Sequence, residues 1–244
     1  MASTSETGHY VNLENFKLII ERITGFGADY APLTDKIKIT KMTNQWSAAN
    51  ALHLAYIVSL EATRLPVNSR EDLFEILTDR VRRSLNLYGS TSASPRSIKD
   101  AKGWADKITG NNIKVKKLED GTPDPKSVSN SQKSFTKRAD NFTHLLSIYK
   151  SDTNYAATEA ELTTASLQTL LNDIVTSNTT IANLIQDANM ARIARDNSLY
   201  MIGSGIIDVS LACKKYVRSV YGAQSATAKT VTSIPLRRFM RIKP

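Results

Sequence analysis

The chain has few of the residues that mark secreted, disulfide-bonded or membrane-spanning proteins. Cys213 is the single cysteine among 244 residues, which excludes an internal disulfide. The longest apolar stretches, 48–60 and 202–213, contain His53 and Asp208 and fall short of the ~20 residues that span a bilayer. The N-terminal segment has no basic-then-apolar signal pattern. These features predict a cytoplasmic protein, with signal-less secretion and a phage origin left open.

Glycine and proline are also scarce, and their placement favours helices. The sequence contains 10 glycines and 7 prolines, and 41% of its residues are apolar, enough for a substantial core. The expected fold class is all-α, an elongated antiparallel helical bundle with two long helices and short end helices. One short helix is predicted over 95–108, because Ser94 suits its N-cap, Pro95 its first turn and Gly110 the position beyond its end.

The sequence contains an internal repeat whose matching segments keep their order. Each half starts with apolar residues at helical spacing, over 16–23 and 142–149, and each continues into a long helical stretch. The repeat predicts a pseudo-two-fold molecule with a first helical repeat at 1–109, a linker at 110–134, a second repeat at 135–222 and a basic C-terminal tail at 223–244. The matched segments are Asn15-Phe16 with Asn141-Phe142, Tyr30-Ala31 with Tyr155-Ala156, Arg70-Glu71 with Arg195-Asp196, and Tyr88-Gly89 with Tyr221-Gly222.

Both long stretches carry apolar stripes that indicate inward-facing, coiled-coil-like seams. A continuous, kinked helix is favoured at Pro66, with a tight helix-turn-helix as the alternative, and Gly203 and Gly205 pose the same question in the second half. The first seam comprises Trp46, His53, Leu60, Val67, Phe74, Val81 and Tyr88, and the second comprises Leu167, Leu170, Leu171, Ile174, Ile181, Ile185 and Ala188.

No catalytic, cofactor-binding or metal-binding motif is present, so no such site residue is predicted. His9, in the N-terminal segment, His53, on the seam, and His144, predicted at the surface, lack metal-ligand spacing, and no phosphate-binding glycine loop or nucleophile elbow occurs. The protein is therefore expected to be non-enzymatic. A pocket with convergent polar groups would favour an enzyme instead.

Charge is segregated along a chain whose formal net charge is +9. Residues 151–191 contain five carboxylates and no Lys or Arg, whereas 209–244 contain eight Lys or Arg and no carboxylate. These runs indicate either solvated helix ends or a surface that binds a polyanion or a partner. Opposite regions of two copies are a further possible contact. The candidate contact residues are Arg80, Arg82, Arg83, Lys214, Lys215, Arg218, Arg237, Arg238, Arg241 and Lys243.

The C-terminal segment 236–244 alternates basic and apolar residues. It is expected either to pack on its own bundle or to be disordered, with pairing to a partner's strand or binding to a membrane surface as alternatives.

The order Asn-Phe-x-x-Leu-Leu, Tyr-Ala, a long helix, and then Lys-x-Tyr-Val-Arg-Ser-Val-Tyr-Gly resembles an uncharacterised all-helical protein family of Bacteroidetes bacteria. The matching segments are 135–162 and 213–234, with a weaker match at 13–33. The resemblance implies an all-helical fold and carries no activity or ligand. The leading hypothesis is a structural, assembly or protein-interaction protein that binds copies of itself or another protein. The alternative is a nucleic-acid-binding protein that uses the basic helix ends and tail.

Overall fold

The computed structural model describes residues 8–110 and 134–239, and these residues form helices and connecting segments with no β-strand among them. The predicted all-α class is confirmed. Most of the predicted linker at 110–134 lies outside the described residues. The helices are α1 (His9–Thr24), α2 (Ile39–Glu61), α3 (Arg64–Gly89), α4 (Pro95–Thr109), α5 (Phe135–Ser151), α6 (Thr164–Tyr200), α7 (Ile206–Tyr221) and α8 (Ala226–Thr232), with short 3-10 helices at Gly27–Asp29 and Asp35–Ile37.

Local sequence signals explain where several helices begin and end. Ser94, Ser134 and Ser225 are the N-caps of α4, α5 and α8, and each hydroxyl accepts a hydrogen bond from the backbone N–H three residues later. The predicted helix over 95–108 is confirmed as α4, which ends before Gly110 in the left-handed conformation at φ 81°.

The first long stretch is interrupted at Ala62 and Thr63, whose backbones keep right-handed helical angles, so the kinked helix and the helix-turn-helix both stay predictions. Helix α2 ends at Glu61, and α3 begins at Arg64, which places Pro66 in the first turn of α3. Proline has no N–H to donate to the carbonyl four residues earlier, and its ring crowds that carbonyl. That carbonyl belongs to Ala62, where the interruption lies.

The second long stretch is interrupted between Tyr200 and Ile206. Gly203 has φ +80°, a conformation that favours glycine. A Cβ at Gly205 would lie 2.7 Å from the backbone nitrogen of Met201, which is closer than side-chain carbons pack. These two glycines therefore permit a turn that ends α6 and starts α7.

The described residues divide into two compact units. The first unit lies within Met1–Ala62 and Leu184–Pro244, and the second lies within Thr63–Asn183. Each unit contains one segment of each predicted repeat, so the compact units do not coincide with the repeats. The repeat boundaries stay a prediction.

Each unit has an apolar core. The seam residues Phe74, Leu170 and Ile181 are buried, Trp46 is half-buried, and Leu60 and Ile185 are each 48% exposed. The first core includes Leu13, Phe16, Ile19, Ile23, Met42, Ala49, Leu199, Ile206, Val209, Cys213 and Val217. The second includes Phe74, Leu77, Val81, Tyr88, Phe142, Leu145, Leu146, Tyr149, Leu167, Leu170 and Ile174.

Candidate functional site

A cleft of about 670 Å³ lies in the first unit, where the last turns of α6 meet other segments of that unit. Helix α6 contributes five polar side chains, α1 and α2 contribute one each, and the extended segment after α8 contributes a cation and a ring. Polar and aromatic groups therefore converge on one cavity. The residues that matter chemically are His9, Tyr56, Arg192, Arg195, Asp196, Tyr200, Arg238 and Phe239.

Arg195 is the most enclosed charged group of the cleft, with 6% of its side chain exposed. Its Nε and Nη2 donate to Asp196 Oδ1 at 3.0 and 2.6 Å. Its guanidinium carbon lies 4.4 Å from the centroid of the Tyr56 ring, within cation–π range. The ion pair and the ring together hold the buried guanidinium in place.

Asp196 also lies close to Arg192 and His9. Arg192 Nη1 lies 3.7 Å from its Oδ2, and His9 Nδ1 lies 3.9 Å from its Oδ1. His9 Nδ1 is also hydrogen-bonded to the Tyr200 hydroxyl at 2.8 Å. Burial raises the pKa of Tyr200, so its phenol stays protonated at neutral pH.

The segment that follows α8 contributes Arg238 and Phe239 to the wall of the cleft. The Asn12 amide donates to the Arg237 carbonyl at 2.7 Å and accepts from the Arg237 N–H at 3.0 Å. Arg238 donates from Nη1 to the Tyr200 carbonyl at 2.8 Å and is ion-paired with Asp208. The Gly203 N–H and the Arg238 guanidinium hold the pKa of Asp208 below its ordinary value. The expected packing of the tail on its own bundle is confirmed for these residues.

Neither protein-family models, nor curated proteins, nor solved structures gave a match to this chain.

Among residues 8–110 and 134–239, no group of three or more His, Cys, Asp or Glu side chains is placed to hold a metal ion. None of the described helices combines the length and apolarity that a bilayer crossing takes.

The structure places Lys214 inside the first unit rather than at its surface. It is 7% exposed, and its ammonium donates to the carbonyl of Ile234 and, at 3.4 Å, to that of Thr232. Burial lowers its pKa. An ammonium held by backbone carbonyls in this way is not presented to a polyanion.

The other candidate contact residues lie in both units. Arg80, Arg82 and Arg83 belong to α3 in the second unit, where Arg83 Nη1 pairs with Glu161 at 2.6 Å. Lys215 and Arg218 are exposed on α7 of the first unit. Arg238 lines the cleft, Arg237 is hydrogen-bonded through its backbone to Asn12, and Arg241 and Lys243 lie outside the described residues. A polyanion-binding role for the exposed members stays a prediction.

Sequence reasoning missed the cleft itself. In the sequence, Arg195-Asp196 marks only the repeat and His9 falls in the N-terminal segment, whereas the structure shows that His9 starts α1 and reaches Tyr200. One signal was available: Arg192 and Asp196 are four residues apart on a helix, with Arg195 on the same face. Nothing local links that face to His9 or Arg238.

Proposed function

We propose that this is a non-enzymatic interaction protein that self-associates through α2. The observation that carries the proposal is an exposed, uncharged stripe on that helix. From Met42 to Leu60, α2 contains no Asp, Glu, Lys or Arg. On its surface, Leu54, Ile57 and Val58 are 52%, 43% and 69% exposed.

The spacing of these three side chains places them on one side of the helix, since residues three and four apart are neighbours. A surface helix normally turns charged and polar residues to solvent. Contiguous exposed apolar side chains typically mark a protein contact. A second copy suits this stripe, because a two-fold axis would bring apolar side chains against apolar side chains with no charge left to neutralise.

Size-exclusion chromatography with light scattering, across protein concentration and salt, tests this proposal. The natural chain is expected to dimerise at both low and high salt, because apolar contacts are not weakened by screening. Ile57→Glu and Val58→Glu are expected to be monomeric, since each would place a carboxylate in the contact. Leu33→Glu is the matched control, because Leu33 is 98% exposed in a loop of the same unit. A monomer at every concentration and salt contradicts the proposal. Dimers at low salt alone would indicate charge-driven association instead.

We also propose that the chain is an internal duplication, which two equivalent hydrogen bonds support. The Tyr30 hydroxyl donates to the Ile37 carbonyl at 2.7 Å, and the Tyr155 hydroxyl donates to the Leu162 carbonyl at 2.7 Å. Each bond joins residues seven apart, just before α2 in one half and α6 in the other. This loop conformation is not required by amphipathic helices, so its recurrence favours common ancestry over chance.

The burial pattern of α3 and α7 supports the same proposal. Four buried positions of α3 have buried counterparts 133 residues later, namely Phe74, Leu77, Val81 and Ser84 with Ile207, Ser210, Lys214 and Val217. We further propose that the two long stretches pair antiparallel. Only the sequence repeat supports this part of the proposal.

Nucleic-acid binding is the second candidate, favoured by the exposed cations Lys215 and Arg218 on α7. It predicts an affinity for DNA or RNA that falls steeply with salt and weakens in a Lys215→Gln, Arg218→Gln variant. A gel-shift assay at low salt that detects no complex contradicts it.

A further inference from the structure

We propose that the cleft of the first unit binds a small molecule in which a phosphate group is attached to an aromatic ring system, as in a nucleoside monophosphate. The cleft uses Tyr56 of α2 but none of the stripe residues Leu54, Ile57 and Val58, so variants of Arg192 and of Ile57 test the two proposals separately. The cleft combines arginines, which recognise phosphate, with exposed ring surface in a cavity of about 670 Å³. Small-molecule sites commonly have this size and this mixture of apolar walls and a few polar groups.

Arg195 is the central reason for assigning an anion to this cleft. A guanidinium has five N–H donors, and among the described residues those of Arg195 bond only to Asp196, through Nε and Nη2. Its Nη1 group therefore has no protein acceptor there, although the side chain is only 6% exposed and lines the cavity. The Nη1 group is accessible to solvent, so a ligand oxyanion that enters the cavity would replace water as its acceptor.

The charge of the cleft points the same way. Arg192, Arg195 and Arg238 line the cavity, and Asp196 is the one carboxylate among its described lining residues. Asp208 does not line the cavity but is ion-paired with Arg238. The three cations thus face two carboxylates, which leaves one positive charge without a counterpart. Arginine recognises phosphate through parallel N–H donors, so a phosphate in the cavity would complete the set.

The aromatic half of the ligand follows from the rings at the cavity wall. Phe239 is 36% exposed, and its ring centroid lies 5.6 Å from that of His9 and 6.4 Å from that of Tyr200. An exposed aromatic face beside cations can stack on a planar ring of a ligand, and such stacking accepts any nucleobase. Phosphate alone would leave this surface in water.

Isothermal titration calorimetry with adenosine monophosphate, adenosine and inorganic phosphate tests the two halves of the assignment. Adenosine monophosphate is expected to bind at least about tenfold more tightly than either fragment, because only it engages both the guanidinium groups and the rings. Absence of binding at Kd values up to about 10 mM, or equal affinity for adenosine and its monophosphate, overturns the proposal.

Variants locate the site. Arg192→Gln removes a cation whose side chain is 39% exposed, and it is expected to weaken binding about tenfold or more without unfolding the chain. Arg96→Gln is the matched control, because Arg96 is exposed on α4 of the second unit. Circular dichroism melts verify that both variants fold. Equal affinities of the two variants place the ligand elsewhere and overturn the proposal.

A phosphate joined to an aromatic base can come from a free nucleotide or from the end of a nucleic-acid strand, and a dinucleotide distinguishes these two sources. A 5′-phosphorylated dinucleotide that binds no more tightly than adenosine monophosphate supports a free nucleotide. Tighter binding that Arg192→Gln weakens supports the terminal nucleotide of a strand in the same cleft.

Discussion

Removing the hydroxyl from Tyr30 or from Tyr155 is the most direct test of the two loops that precede α2 and α6. Each phenol is buried, and each donates to a backbone carbonyl at 2.7 Å, that of Ile37 in one loop and that of Leu162 in the other. Burial raises the pKa of Tyr155 to about 12 and also raises that of Tyr30, so both hydroxyls keep their protons at neutral pH. Tyr→Phe at either position removes the donor and leaves the ring in place.

The magnitude follows from the carbonyl that loses its partner. A buried acceptor left without its hydrogen bond costs about 1–3 kcal/mol of unfolding free energy. For a chain of this size, that corresponds to a fall in Tm of about 2–12 °C. The Tyr30 hydroxyl also lies 3.4 Å from Cys213 Sγ, but sulfur is a weak partner, so the two losses should agree within about 1 kcal/mol.

Urea unfolding followed by far-UV circular dichroism measures both variants against the natural chain. Tyr10→Phe is the control, because Tyr10 is 52% exposed in the first unit and its replacement should change stability by less than about 0.5 kcal/mol. A Tyr155→Phe protein as stable as the control refutes the contribution of the hydrogen bond. A large loss at one tyrosine and none at the other refutes the equivalence of the two loops.

Two further changes probe the turn after α6 and the titration of the α2 seam. Gly205→Ala should cost about 1–3 kcal/mol, because the new Cβ would lie 2.7 Å from the Met201 nitrogen, whereas Gly103→Ala, in open space within α4, should gain about 0.5–1 kcal/mol; equal urea midpoints would contradict this. Burial, with the nearby Arg195 guanidinium, lowers the pKa of His53 below 6.5. The unfolded chain then takes up a proton first as pH falls through 6.5, so stability is full above that pH and declines below it. Urea midpoints at pH about 8 and about 5 should differ less in His53→Gln, and an unchanged difference would count against the assignment.

The sequence predicts what is encoded within single elements. Ser94, Pro95 and Gly110 mark the ends of α4 because capping depends on residues within one or two turns. The apolar residues of 142–149, including Phe142 and Tyr149, are buried on one face of α5 because helical periodicity is local. Pro66 indicated an interruption near 62–63, but the apolar seam that runs from Leu60 to Val67 favoured a kinked helix over a turn.

The cleft could not be predicted, because the residues that form it are distant in sequence. The His9–Tyr200 hydrogen bond joins residues 191 apart, and the Arg238–Tyr200 bond joins residues 38 apart. Neither contact follows from helical spacing or from a motif. The basic run at 209–244 includes Arg238, but it indicates a polyanion surface, and neither Arg192 nor Arg195 belongs to a basic run.

Lys214 and Arg138 show why counting basic residues overestimates the surface that is available to a polyanion. Arg138 donates to the Ile108 carbonyl at the end of α4 and to the Phe74 carbonyl of α3, so its guanidinium is occupied by backbone acceptors. Lys214 does the same for the carbonyls of 232 and 234. Cations held in this way release no counterions on binding DNA. If nucleic acid binds through Lys215 and Arg218 on α7, the slope of log K against log salt should therefore be only about −2, at roughly −0.9 for each phosphate neutralised. A much steeper slope would show that cations outside α7 take part.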